Sequence, residues 1–416
     1  MYRTDRFKTD VLKLSIALPC ECDEKSTALF GLMINMLRNG TEKYPEKSDI
    51  IKRLNDLYDS SCSVGGFASG DNKILEISSE MLSESFTNGE RVFDGVCELM
   101  YQMLFCPKKD ENGLFIEERV EREKNVILDR IKSEKNNSKS YAFKRCRELM
   151  CAGEPYGISM KSDEIKKITA KEITDYYDNF IKNIELCFSY VGRRSADEVA
   201  VSLKAYFGEA ELCGKPQINP LSAKAESEPK SFEEELEVKQ GVLVLGMTTG
   251  ILMGDEYSHV IPVFNNVYGG TYTSRLFKTV REKMGLCYQI SSDFVTTKGL
   301  EFVSCGIDVN KRDEAQKAIL DELEDLKTNL ITDEELDVAK KLTLKEYHEM
   351  LDFPNAIAVF YFGREIYGSK ESIPDLIEKT TKITAEDIRE VARRIKLHTV
   401  FFLKGTAEGE EDTADE

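Results

Sequence analysis

Two periods of apolar residues alternate along this chain, and their order predicts its architecture. Leu12, Leu14, Ile16 and Leu18 alternate with Lys13, Ser15 and Ala17, the period of two expected of a strand with one buried face. Glu118 to Lys132 has helical spacing instead, and a β-rich run from Leu186 to Gly192 comes later. The same succession then returns. Val242, Val244 and Gly246 take the place of the first strand, Glu335 to Glu349 that of the long helix, and Thr399 to Gly405 that of the closing strand. Further strands are predicted at Lys73–Ser79 and Glu301–Val309. Strands interleaved with paired helices predict the α+β class, with each sheet faced by helices.

A short repeat ties the two passages together. Ile168-Thr169-Ala170-Lys171-Glu172-Ile173 recurs as Ile383-Thr384-Ala385-Glu386-Asp387-Ile388, shifted by 215 positions. Each copy predicts a helix start, with Thr169 and Glu172 as a capping box and Thr384 with Asp387 as a weaker one. A tyrosine–glycine pair precedes both, Tyr156-Gly157 and Tyr367-Gly368. Between the copies, Gly214 to Pro229 holds three prolines among polar residues and reads as a tether. The organisation expected is two duplicated halves, 1–213 and 233–416, joined by a linker at 214–232, with a cleft between them.

Composition narrows the functional classes. A net charge of −18 over 416 residues disfavours a nucleic-acid partner, whose phosphates attract basic surfaces. No run of eighteen apolar residues predicts a spanning helix, and Met1 to Lys8 lacks the apolar core of a secretory signal. Eleven scattered cysteines, with Cys20 and Cys22 at the wrong spacing for a C-x-x-C pair, predict reduced thiols and a cytoplasmic location. The residues from Glu408 to Asp412 read as a solvated acidic tail. The three histidines, His259, His348 and His398, form no H-E-x-x-H or H-x-x-E-H and are expected at surface or boundary positions. Phosphate-binding and nucleophile-elbow motifs are absent from the sequence.

Two stretches resemble a known family. Gly31-Leu32-Met33-Ile34-Asn35-Met36-Leu37-Arg38-Asn39-Gly40-Thr41 is similar to the zinc helix of the M16 metallopeptidases, which include insulin-degrading enzyme, pitrilysin and the mitochondrial processing peptidase. Active members read H-x-x-E-H-M-L-x-x-G-T there, two histidines holding zinc and the glutamate activating water. Met36, Leu37, Gly40 and Thr41 fit. Gly31 and Asn35 stand at the histidines, and Ile34 at the base. In the family's later run E-R-x-V-I-L-x-E, the last glutamate is the third ligand. This chain has Glu123 to Arg130 there, which puts Arg130 at the ligand position and Glu123 at a supporting one. Glycine has no donor atom, isoleucine is no base, and arginine is a permanent cation. The expectation is a lost zinc site and no metal on this chain.

The second resemblance is longer. Tyr268-Gly269-Gly270-Thr271-Tyr272-Thr273-Ser274-Arg275-Leu276-Phe277, continuing to Val280-Arg281-Glu282-Lys283-Met284-Gly285-Leu286-Cys287-Tyr288, is close to the family's G-G-x-x-x-S-R-L-F-x-x-V-R-E-x-x-G-L-x-Y. In the family this arginine and tyrosine reach substrate held at zinc, which implies that role for Arg281 and Tyr288. The resemblance also implies two α/β sandwich halves of the LuxS/M16-like fold, forming one half of a clam shell. It implies a non-catalytic subunit inactive alone, paired with an H-x-x-E-H subunit of similar length that carries the zinc. The two would enclose an unfolded peptide, or the chain would form a homodimer if unpartnered. The alternative is a purely structural or peptide-binding homologue without proteolysis, similar to a respiratory-complex core protein or a maturation factor.

Overall fold

The computed structural model describes residues 1–19, 21–208 and 228–406 and arranges them in two compact units. The first sheet comprises Tyr2–Arg3 (β1), Thr9–Pro19 (β2), Ser61–Ser69 (β3), Asn72–Leu82 (β4) and Cys187–Gly192 (β5), in the order β1-β5-β2-β4-β3. The second comprises Lys230–Leu236 (β6), Gly241–Thr248 (β7), Cys287–Val295 (β8), Leu300–Ile307 (β9) and Lys396–Gly405 (β10), in the order β6-β10-β7-β9-β8. Position by position the orders are the same. In each sheet the first strand runs parallel to its neighbour and all other pairs are antiparallel. The duplication read from the hexapeptide therefore extends to strand order and direction. Both repeated helix starts carry complete capping boxes, at Thr169–Glu172 and Thr384–Asp387.

The compact units do not follow the contiguous halves 1–213 and 233–416. The described residues of 133–157 belong with the second unit, and those of 349–370 with the first. Helix Ser138–Met150 lays Ala142, Cys146 and Met150 against Val242, Val244, Phe302 and Phe401 of the second sheet. Gly246 makes this close approach possible, because a Cβ there would come within 2.8 Å of Met150 Sδ. In the first unit, helix Pro354–Ile366 sets Phe362 and Ile366 on Ile74, with Ala17 and Cys187 alongside. Each sheet thus has one face filled from its own half and the other from a segment of the opposite half.

That exchange corrects the reading of β2 as a half-buried strand. Leu12, Leu14 and Ile16 do face the main core, each fully buried. The alternate face is buried too, with Val11 at 1%, Lys13 at 3% and Ser15 at 1% exposure. Lys13 tolerates burial because its ammonium meets Glu76 Oε1 at 2.9 Å. The linker reading also changes. Residues 214–227 lie outside the described residues, as do 407–416 with the acidic tail, but 230–232 are already strand. Three consecutive glutamates hid β6 from pattern reading. It is held by parallel pairing with β10, from Lys230↔Thr399 to Leu236↔Gly405.

Candidate functional site

Helix Glu24–Leu37 begins at Asp23, whose carboxylate accepts from the Ser26 amide at 2.6 Å, and runs its apolar face into the first core. Asn35, Met36 and Leu37 are buried, and the chain turns at Gly40. Gly40 has φ of +119°, and a Cβ would collide with the Pro45 carbonyl. Arg119 fixes this turn from helix Glu117–Ser133, donating to the carbonyls of Asn39 at 2.5 Å and Pro45 at 2.9 Å. The part of the motif that the chain retains is therefore the part that shapes the turn.

The positions that would do chemistry are filled otherwise. A Cβ at Gly31 would lie 2.5 Å from Met160 Sδ, so a thioether sits where the first histidine would project. Ile34 is 7% exposed and packs with Phe30 over Gly66 of β3, an apolar contact with no group to act as a base. Asn35 is buried, and its backbone carbonyl accepts from Asn39 Nδ2 at 2.8 Å. Arg130 lies within electrostatic reach of Arg38. Burial, then the Arg130 charge, lowers the Arg38 guanidinium pKa, and Glu123 opposes them. Arg38 donates through Nε to the Val64 carbonyl of β3 at 2.6 Å. A divalent cation would meet an arginine pair, an isoleucine and a thioether, so the position does not fit zinc. Among the described residues no three His, Cys, Asp or Glu side chains converge as a metal cluster.

The second-half signature separates into a buried frame and a displayed pair. Gly269 lets the loop lie against β8, where a Cβ would sit 2.7 Å from Ser292 Cβ, and Gly270 packs on Asn265, whose Nδ2 a Cβ would approach to 2.7 Å. Ser274 is 1% exposed and donates to the Thr271 carbonyl at 2.6 Å. Arg275 binds Glu335 at 2.7 Å and also pairs with Asp325. Leu276 and Val280 are fully buried. Arg281 belongs to a π-helical segment, Phe277–Lys283, and its guanidinium covers the Phe277 ring at 4.5 Å. Its charge also opposes the burial that pushes the Cys287 thiol up to about 11.

Tyr288 is 58% exposed, for a reason the sequence does not carry. The ladder of β8 on β9 pairs Cys287 with Ile307 and then Gln289 with Gly306, so Tyr288 is the extra residue of a bulge. A bulge re-aims one side chain without unravelling the strand. Tyr272, 80% exposed and edge-on to Phe277 at 5.1 Å, extends the aromatic surface beside Arg281 and had no separate place in the sequence reading. His398 corrects the expectation for histidines. It is buried on β10, with Nδ1 2.8 Å from Thr399 Oγ1. The nine described cysteines form no disulfide.

Residues 167–343 match the family model for the Peptidase M16 inactive domain. A protein described as a probable inactive metalloprotease, YmfF, from Bacillus subtilis (strain 168) is 26% identical over 408 residues, 97% of this chain and 95% of its own. Among solved structures, a conserved protein from Enterococcus faecalis V583 superposes with a TM-score of 0.88 at 23% identity, covering 98% of this chain and 96% of that one. A peptidase M16 inactive domain from Pseudomonas fluorescens gives 0.77 at 19%, covering 98% and 96%. These likenesses bear out the two-sheet α+β fold.

Proposed function

The chain is an inactive homologue of the M16 metallopeptidases, and from that premise we propose that it is the non-catalytic subunit of a two-chain peptidase. The observation that carries this reading is the contrast between the two motifs. The zinc-helix positions have been filled with Met160, Ile34 and an arginine pair, whereas Tyr288 is turned outward by a bulge and left unburied. A tyrosine kept only for packing would be expected to bury its ring.

In this reading the partner is an H-x-x-E-H chain of similar length in the cytoplasm, and it alone carries zinc. An unfolded peptide adds as a strand to a free sheet edge. The edge strand β8 suits that role because it carries Tyr288. The Tyr288 hydroxyl donates to the substrate carbonyl oxygen as negative charge builds there, and Arg281 holds a neighbouring substrate carbonyl. Removing one preorganised donor typically costs about 10²–10³ in turnover. Tyr288→Phe, mixed with the zinc-bearing partner and checked for assembly by sizing, should lose turnover on that scale at unchanged complex yield. Arg281→Ala should raise KM and lower kcat together. Full turnover by both assembled variants would instead make the chain a scaffold.

A further inference from the structure

Beside Tyr288 the second unit has a pocket of about 250 Å³ lined by Ser138, Lys139, Gln240, Val242, Tyr288, Gln289 and Gly306. We propose that this pocket binds a carboxylate of the peptide substrate, from an acidic side chain or a free chain end. The inference rests on the reading of the chain as a peptide-binding subunit, and it names the chemistry that subunit selects.

Size comes first. Pockets for drug-sized ligands start at roughly 300 Å³, so this one suits a single side chain or a terminus. Its polar lining includes the Lys139 ammonium, the Tyr288 and Ser138 hydroxyls and the Gln289 amide as donors, with the Gln240 side-chain carbonyl oxygen turned toward Gly306. No acidic residue lines it, on a chain whose net charge is −18. Lys139 stands on the first turn of helix Ser138–Met150 at the pocket wall, and its Nζ donates to Ser291 Oγ at 3.1 Å. The Asp293 carboxylate lies beyond that serine, accepting from its hydroxyl at 3.4 Å, and is not part of the lining. Gly306 opens the floor, since a Cβ there would meet only Gln240 Oε1, at 3.5 Å. Tyr288 and Gln289 also lie on β8, an edge strand, so a peptide extended along that edge passes the pocket mouth.

The test is fluorescence anisotropy with the purified full chain and three labelled pentapeptides. One is Ala-Ala-Glu-Ala-Ala with both ends blocked, the second its glutamine counterpart, and the third penta-alanine with a free carboxyl end. A charge-assisted contact should make one or both carboxylate peptides bind about tenfold more tightly than the glutamine peptide. Whichever of them gains identifies the source, side chain or chain end. Lys139→Glu should abolish the preference. Gly306→Val, a β-branched residue on a strand with space for its Cβ, should weaken the carboxylate peptides by occlusion. Equal affinity for all three peptides, or a preference unchanged in both variants, overturns the inference and leaves peptide binding standing. Binding of none of them overturns the peptide-binding reading and this inference with it.

Discussion

Replacing Glu301 by glutamine should flatten part of the pH dependence of stability. Glu301 lies on β9 with no exposed surface, opposite Phe294 on one side and Met247 on the other. Its Oε1 is 3.3 Å from Ser292 Oγ, whose other neighbour is Asn265 Oδ1 at 2.5 Å, and its Oε2 has no partner. Burial raises its pKa to about 8, with Ser292 and the Lys327 charge pulling it back only partway. The sign follows. Below about 4.5 the carboxyl is protonated folded and unfolded, and its contribution is fully present. Between 4.5 and about 8 only the unfolded chain releases the proton, so stability falls as pH rises. Each pH unit in that window is worth about 1.4 kcal/mol, roughly 5 kcal/mol across it. Glu301→Gln keeps the shape and an N–H donor for Ser292 but cannot ionise. Urea unfolding of both proteins from pH 5 to pH 9, followed by far-UV circular dichroism, measures the difference. The background titration of an acidic protein cancels between two chains that differ at one buried site. The variant should gain on the parent steadily up to about pH 8, then run parallel. Curves parallel from pH 5 onward would refute the claim that Glu301 is buried as the neutral acid.

Two further outcomes concern the first unit. Gly31→His combined with Asn35→His should bind no stoichiometric zinc by elemental analysis, because Met160, Ile34 and Arg130 still exclude the metal and its water. One zinc per chain would contradict that reading. Gly40→Ala should cost roughly 1–3 kcal/mol in urea unfolding, since φ of +119° and the Pro45 carbonyl both oppose a Cβ; an unchanged midpoint would show that the turn relaxes freely.

Much of the frame was legible because it is written in local chemistry. The capping boxes at Thr169 and Thr384, the alternation at Leu12 to Ile16 and the long helices all depend on neighbours a few residues apart. Gly31, Ile34, Asn35 and Arg130 were likewise legible as residues unable to hold zinc. What occupies their space was not, because Met160 comes from 129 positions further on. The bulge that exposes Tyr288 was equally hidden, being a mismatch between β8 and β9 rather than a property of either strand. The full burial of β2 escaped for the same reason. Its second cover, helix Pro354–Ile366, arrives from more than 330 residues away.

That late arrival has a consequence for synthesis. As the chain leaves the ribosome, the first sheet can be paired once β5 emerges, yet Ile74 and Ala17 stay uncovered until residues 354–366 follow. The earlier helix Ser138–Met150 meanwhile carries Ala142, Cys146 and Met150 with nothing to dock on until β7, β9 and β10 exist. Domains usually fold as units during translation, the amino-terminal one first. Here the first unit closes only after residues 354–366 emerge, and the second only when its last strand is made. A chain stopped near residue 213 would present one bare sheet face and one orphan helix, two apolar surfaces for a chaperone to hold. Independently expressed halves would therefore be expected to aggregate alone and to recover solubility when co-expressed.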